Sequence, residues 1–222
     1  MGEFGRACIF PFKENKPSIE VSKNGPYFVR DLDNLENSKG ELVPTQPFIA
    51  LCRCGQSSNK PFCDGTHAVI GFSGIKIEDR VPDEMDDYKG TDITIHDNRG
   101  VCSHRGHCTD NLPEVFRMRH KPWINPDAEN QEEVAKVIEM CPSGALSYTK
   151  DGVLHKDLNR DFRIFISKDG PYDAEGGIEF KDNDGNTPES QEHFTLCRCG
   201  GSKNKPFCDG KHWYIKFRDE KN

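Results

Sequence analysis

Short runs of alternating apolar and polar residues mark both ends of this chain. "IEVSKNGPY" (19–27) and "IFISKDGPY" (164–172) each alternate, are rich in β-branched residues and reach a Gly-Pro turn, the pattern of a strand entering a turn. Further on, "FIALC" and "FTLC" predict a second short strand leading into cysteines, and "AVIGF" and "WYIKF" predict closing strands. The stretch from about 75 to 160 reads differently. "TDITIHD" (91–97) alternates as a strand does. "ENQEEVAKVIEMC" (129–141) has the helical period, with Val134, Val137, Ile138 and Cys141 on one face. Asn130 followed by Glu133 predicts a capping box at its start, and Pro142 and Gly144 stop it. "ALSYTKDGVLH" (145–155) predicts a hairpin turning at Asp151-Gly152.

The two ends repeat one another. "CRCGQSSNKPFCDGTH" (52–67) returns as "CRCGGSKNKPFCDGKH" (197–212), 145 residues later. The strand runs before them, Gly40 with Gly185, and "IGF" with "IKF" keep the same offset. With no net insertion between motif and flanks, this is an internal repeat of a small β unit with an embedded loop.

Composition narrows the chemistry. The chain has 222 residues, 34% of them hydrophobic, and a mean hydropathy of -0.78. Units with so thin a core usually rely on disulfides or metals, and ten cysteines can supply either. The N-terminal "MGEFGRACIFPF" lacks the features of a secretory signal, and no run reaches the roughly 18 apolar residues of a membrane span. The expected setting is therefore soluble and cytoplasmic, where thiols stay reduced and clustered cysteines favour metal or redox sites. A net charge of -7 argues against nucleic acid as a partner. "RMRHKPW" (117–123) reads as a solvated face, and the acidic "DEMDD" (83–87) as linker or surface.

Three cysteines and a histidine within sixteen residues suit zinc or an iron–sulfur cluster. Structural zinc usually takes pairs two to four residues apart. Here one residue separates Cys52 from Cys54, and three separate Cys63 from His67. A 2Fe–2S rhomb needs two ligands on each iron, and these are two such pairs.

The motif C-x-C-x2-S-x3-P-x-C-D-G-x-H resembles the CDGSH (mitoNEET-type) iron–sulfur family. Both copies match throughout: Cys52, Cys54, Ser57, Pro61, Cys63, Asp64, Gly65 and His67, then Cys197, Cys199, Ser202, Pro206, Cys208, Asp209, Gly210 and His212. Thr66 and Lys211 stand where the family name has serine, a position that is not a ligand, although Lys211 is bulky enough to alter access to His212. The resemblance implies one 2Fe–2S cluster per motif, held by Cys52, Cys54, Cys63 and His67 and by Cys197, Cys199, Cys208 and His212. It also implies that two units pair about a two-fold axis, here within one chain, although two separated units remain an alternative. Histidine in place of cysteine raises the potential and gives a ligand that protonation can remove. Asp64 and Asp209 are candidates for fixing the turn, and Lys60 and Lys205 for tuning charge.

A third site is expected in the middle. "CSHRGHC" (102–108) and "CPSGAL" (141–146) approach the cubane ferredoxin pattern, but Arg105, which cannot ligate iron, occupies the central position. The run resembles single-cluster ferredoxins of the 3Fe–4S kind, and with "KPWI" (121–124) the divergent single-cluster family, over about 92–155. That resemblance implies Cys102, Cys108 and Cys141 as ligands of a 3Fe–4S cluster, or of a 4Fe–4S cluster completed by His104, His107 or an exogenous ligand. Cys8 is left over and reads as a small buried hydrophobe.

The expected architecture is α+β: two small β-rich CDGSH units (1–74 and 161–222) pairing pseudo-symmetrically, with an α+β ferredoxin-like insert (75–160) between them. The functions to compare are electron transfer with a redox partner protein, cluster storage or transfer to an apo-acceptor, and a structural zinc module. Neither a dinucleotide fingerprint nor a nucleophile elbow is present in the sequence, so a carrier or donor is expected rather than a catalyst. A monomer with intramolecular pairing completes the expectation.

Overall fold

A computed structural model describes residues 16–222; Cys8 lies outside them. In the first repeat, β1 (Ser18–Val21) and β2 (Tyr27–Arg30) form the hairpin predicted around the Gly-Pro turn. The short β3 (Leu35–Glu36) follows, then β4 (Phe48–Leu51) runs into the cysteines. After the motif comes a one-turn helix, α1 (Thr66–Val69). The middle unit holds β5 (Met85–Lys89), β6 (Ile93–Asn98), α2 (His107–Asn111), α3 (Gln131–Glu139), β7 (Leu146–Lys150) and β8 (Val153–His155). The second repeat has β9 (Arg163–Ile166), β10 (Tyr172–Glu175), β11 (Glu179–Asp182), β12 (Phe194–Leu196) and α4 (Lys211–Tyr214).

The two repeats exchange strands. One sheet runs β11-β1-β2-β4, so β11 of the second repeat lies parallel to β1, with Ser18 opposite Glu179. The other runs β12-β10-β9-β3, where β3 of the first repeat lies parallel to β9. Their inward faces build a single core that includes Ile19, Val29 and Leu51 from one sheet and Ile164, Ile166 and Phe194 from the other. At about 25 cal/mol per Å² of apolar surface, this shared burial supplies what neither thin repeat holds alone. Tyr27 and Tyr172 meet edge to face within it, ring centroids 6.2 Å apart.

The middle unit is an antiparallel sheet, β5-β6-β7-β8, covered by α3. Val134, Val137 and Ile138 are buried against Ile95, Leu146 and Tyr148, as the helical period predicts. Asn130 caps α3 by accepting from the Glu132 and Glu133 amides, both at 3.0 Å. The Glu133 side chain reaches forward to Lys136 instead of back, so the capping box is only half formed. Asp151 (φ 51°) and Gly152 (φ 76°) make the β7–β8 turn in left-handed geometry.

Three sequence expectations need correction. The acidic run lies at the surface, as expected, but it is not a linker: Met85–Lys89 is the edge strand β5, whose charged side chains meet solvent. "AVIGF" and "WYIKF" contain no strand. The residues around each histidine form a helical turn that opens just after the left-handed Gly65 or Gly210, so Cys63 and Cys208 stand outside it. Cys141 is not on α3; it lies two residues past its end and is held by its amide to the Ile138 carbonyl at 2.9 Å.

Candidate metal centres

Backbone pairing brings the CDGSH donors together. The Cys52 amide donates to the Pro61 carbonyl and the Cys63 amide to Ala50, each at 2.8 Å, which sets the end of β4 beside the CDG turn. The second repeat does the same from Cys197 to Pro206 and from Cys208 to Thr195, at 2.9 Å. Within the first motif, the Cys52 and Cys54 sulfurs are 3.8 Å apart, and Cys63 Sγ lies 3.3 Å from His67 Nδ1. The second motif gives 3.9 Å and 3.4 Å for the matching pairs. Two thiolates on one tetrahedral metal, each at about 2.3 Å, stand about 3.8 Å apart. Among the described residues, no three His, Cys, Asp or Glu side chains gather as a single ion would need. The measured separations set the donors out as two pairs in each motif.

Backbone amides and short side-chain bonds shape the two loops. Gly65 and Gly210, in left-handed geometry, turn their amides onto Cys63 and Cys208 sulfur at 3.5 and 3.4 Å. Asp64 accepts from the Ser58 and Thr66 amides, and Asp209 from those of Lys203 and Lys211. These carboxylates fix the turn. Lys60 and Lys205 donate to the Ser57 and Ser202 carbonyls and so brace the loop. Lys211 leans over the Tyr214 ring instead of over His212.

Burial holds most of these thiols protonated. It pushes Cys54 up to about 11 and raises Cys63 and Cys208 as well. The hydrogen bond from Cys199 lowers Cys197 to about 6, while that same bond and burial raise Cys199. Burial, then the neighbouring His104 and Arg105, hold His212 down at about 4, so its ring is neutral and able to ligate at neutral pH. A metal's charge displaces the thiol protons, so loading releases protons.

In the middle unit, Cys102, Cys108 and Cys141 line one cavity of about 620 Å³. Cys102 follows a 3-10 turn capped by the Asn98 side chain. Cys108 lies on α2, and the Cys141 sulfur is 3.6 Å from Ser143 Oγ. Burial raises Cys102 to about 11 and Cys108 to about 12. Arg99 donates to Cys102 sulfur at 3.5 Å while stacked over Trp123, whose indole donates to buried Asp97 at 3.1 Å. Arg105 also lines the cavity, and its buried Nε has no partner among the described residues. An orphaned cationic donor beside three thiols fits an anionic cluster.

The two candidate histidines differ. The His104 ring packs on Gly210, its Nε2 is 3.4 Å from Arg99 Nη2, and its carbonyl accepts from Trp213. His107, at the start of α2, keeps a place in the cavity wall without such ties. Trp213 and Tyr214 of α4 complete that wall, so the middle cavity and the second CDGSH motif share a boundary.

Two family descriptions match the chain. "Iron-binding zinc finger CDGSH type" matches residues 24–68 and 169–213, and "Divergent 4Fe-4S mono-cluster" matches 88–151. The chain is 43% identical over 61 residues to "Uncharacterized protein YjdI" of Escherichia coli strain K12, a stretch covering 28% of this chain and 80% of that protein. The protein of the same name from E. coli O157:H7 matches to the same extent. No solved structure matches the chain.

Proposed function

We propose, from the premise that this chain belongs to the iron-binding CDGSH family and carries a divergent 4Fe–4S mono-cluster unit, that it is an electron-transfer protein with three iron–sulfur centres. Cys52, Cys54, Cys63 and His67 hold one 2Fe–2S cluster, and Cys197, Cys199, Cys208 and His212 hold the other. Cys102, Cys108 and Cys141 hold a 3Fe–4S cluster, or a 4Fe–4S cluster with His107 or an exogenous fourth ligand; the family description favours the latter. Bound there, such clusters supply reversible one-electron oxidation and reduction.

The observation that carries this reading is the contact between donor sets. A side chain added at Gly55 would lie 2.6 Å from the Cys199 carbonyl, and one at Gly200 would strike that of Cys54, so the two C-x-C loops touch backbone to backbone. On the other side, the loop carrying Cys102 leans on Gly210 through His104. We infer that residues 1–74 and 161–222 are two CDGSH units paired about a pseudo-two-fold axis, and that 75–160 is the inserted unit. Reciprocal strand exchange supports that pairing. The protein residues keep the donor sets close, exclude water around Cys52, Cys197 and Cys199, and present positive charge to sulfur. The acidic chain suits a basic redox partner.

Cluster transfer to an apo-acceptor is the second reading, favoured by the partial exposure of Cys63 and His67. EPR with iron, sulfide and zinc analysis on protein purified without oxygen tests both. About seven irons per chain fits two 2Fe–2S and one 3Fe–4S cluster, and about eight fits 4Fe–4S in the middle. Colourless protein with zinc and no sulfide overturns the iron–sulfur assignment of these donors. Clusters that no reductant reduces, yet that leave to an acceptor, replace electron transfer with cluster transfer.

A further inference from the structure

The two CDGSH motifs agree at every motif position, yet one is open and the other is covered. The turn glycines allow a direct comparison. Gly65 and Gly210 share left-handed geometry, with φ 87° and 78°. A methyl group at Gly65 would meet nothing within 4 Å, whereas one at Gly210 would be driven into the His104 ring. The loop asparagines differ in the same way. Asn59 is exposed, while Asn204 is buried and donates to the Gly100 carbonyl at 2.7 Å.

Further contacts fasten this cover. Trp213 Nε1 donates to the His104 carbonyl at 3.1 Å, and the Ile77 amide to the Lys203 carbonyl at 2.8 Å. Cys208 and His212 are consequently 2% and 4% exposed, whereas Cys63 and His67 are both partly accessible.

We propose that the loop around His104 is a cover over the C-terminal donor set, which leaves the N-terminal set as the CDGSH set that an external thiol-bearing acceptor can reach, at Cys63 and His67. The inference rests on the reading that both sets carry iron. In such an exchange, each bond from iron to Cys63 or His67 that breaks is replaced by one to an acceptor thiolate. The acceptor's proton passes to the released sulfur or ring nitrogen, and no electron is gained or lost. The repeat then has a division of labour: one copy meets the outside, and its twin faces inward toward the middle cavity.

The test uses the full iron-loaded chain, treated with EDTA and pulse-labelled with iodoacetamide. Peptide mass spectrometry follows alkylation at each cysteine. Because thiol reactivity follows access, Cys63, partly accessible, is expected to label about tenfold faster than Cys208, which is buried. His104→Ala is expected to bring the two rates together, and Trp213→Phe, a milder change, to narrow the gap. Equal rates at Cys63 and Cys208 in the unaltered protein, or faster labelling of Cys208, overturn the proposal. A wide gap that neither substitution moves overturns the role of the His104 loop. Absence of iron and sulfide before chelation is a separate result: it removes the iron–sulfur reading itself, and this inference with it.

Discussion

The Tyr27 hydroxyl donates to the backbone carbonyl of Cys197 at 3.0 Å, across 170 residues of chain. The same hydroxyl reaches the Pro206 carbonyl at 2.8 Å, and Tyr172 makes the matching bonds to Cys52 and Pro61, both at 3.0 Å. Each repeat thus holds the cysteine loop of the other. Tyr27→Phe keeps the ring packing and takes the tyrosine donor from the Cys197 carbonyl, while the Pro206 carbonyl keeps the Cys197 amide, at a cost of about 1–3 kcal/mol. The expected outcome is a lower denaturation midpoint, with iron lost first from the C-terminal set, and Tyr172→Phe should reverse that order. Iron content of site-specific variants during unfolding measures it.

Gly55→Ala should be far more damaging than Gly65→Ala. Both positions have left-handed φ, which costs a side-chain-bearing residue roughly 1–2 kcal/mol. Only Gly55 also faces a carbonyl, that of Cys199, at 2.6 Å. Urea unfolding of the two variants isolates the contribution of the close approach between loops. Equal losses would mean that the loops have room to part.

Arg105→Cys would restore the C-x2-C-x2-C spacing at 102, 105 and 108. If three thiolates hold a 3Fe–4S cluster, iron should rise by about one per chain, and the near-isotropic oxidised EPR signal should fade. An unchanged iron count would mean that the middle unit already holds a fourth iron on a non-thiolate ligand.

Asp97 gives the middle unit a pH dependence. Burial raises its carboxyl from the ordinary 3.8 to about 7, against the smaller lowering by Arg99 and Trp123. Between these values, the folded chain keeps a proton that the unfolded chain releases. This group's contribution is therefore most favourable below about pH 4 and is lost as pH rises to about 7. Buried Asp173, raised to about 6, has the same sign over a narrower range. Asp97→Asn should remove this part of the slope in thermal stability between pH 4 and 7, leaving the Asp173 part and the opposite one from His212. A variant profile as steep as the unaltered one would contradict the assignment.

The elements with local causes were legible in the sequence. Alternation gave the strands that precede each motif, the 3.6-residue period gave α3, and Asp151-Gly152 gave its hairpin. The donor pairs were legible too, because spacing alone brings Cys52 near Cys54 and Cys63 near His67. The one-turn helices at the histidines were misread because a β-branched run resembles a strand, whereas each chain segment turns into a helix directly after a left-handed glycine. Strand exchange was not legible: β3 and β11 are short, and their partners lie in the opposite repeat. Nor was the covering of one motif, since Gly65 and Gly210, or Asn59 and Asn204, are identical in type. The difference comes from a loop elsewhere in the chain, and His104 on its own reads as a polar loop residue.

The exchange of β3 and β11 also orders events during synthesis. When residues 18–67 leave the ribosome, β1 has no neighbour on one side, and the strand that fills that place ends at Asp182. The carbonyls of Cys52 and Pro61 likewise wait for Tyr172. The N-terminal motif is translated first but attains its final support only after the middle unit and β9 to β11 of the second repeat have been made. A nascent chain stalled before β9 would hold a complete set of ligands on an incomplete scaffold, and maturation of the first site becomes a late, chain-length-dependent step.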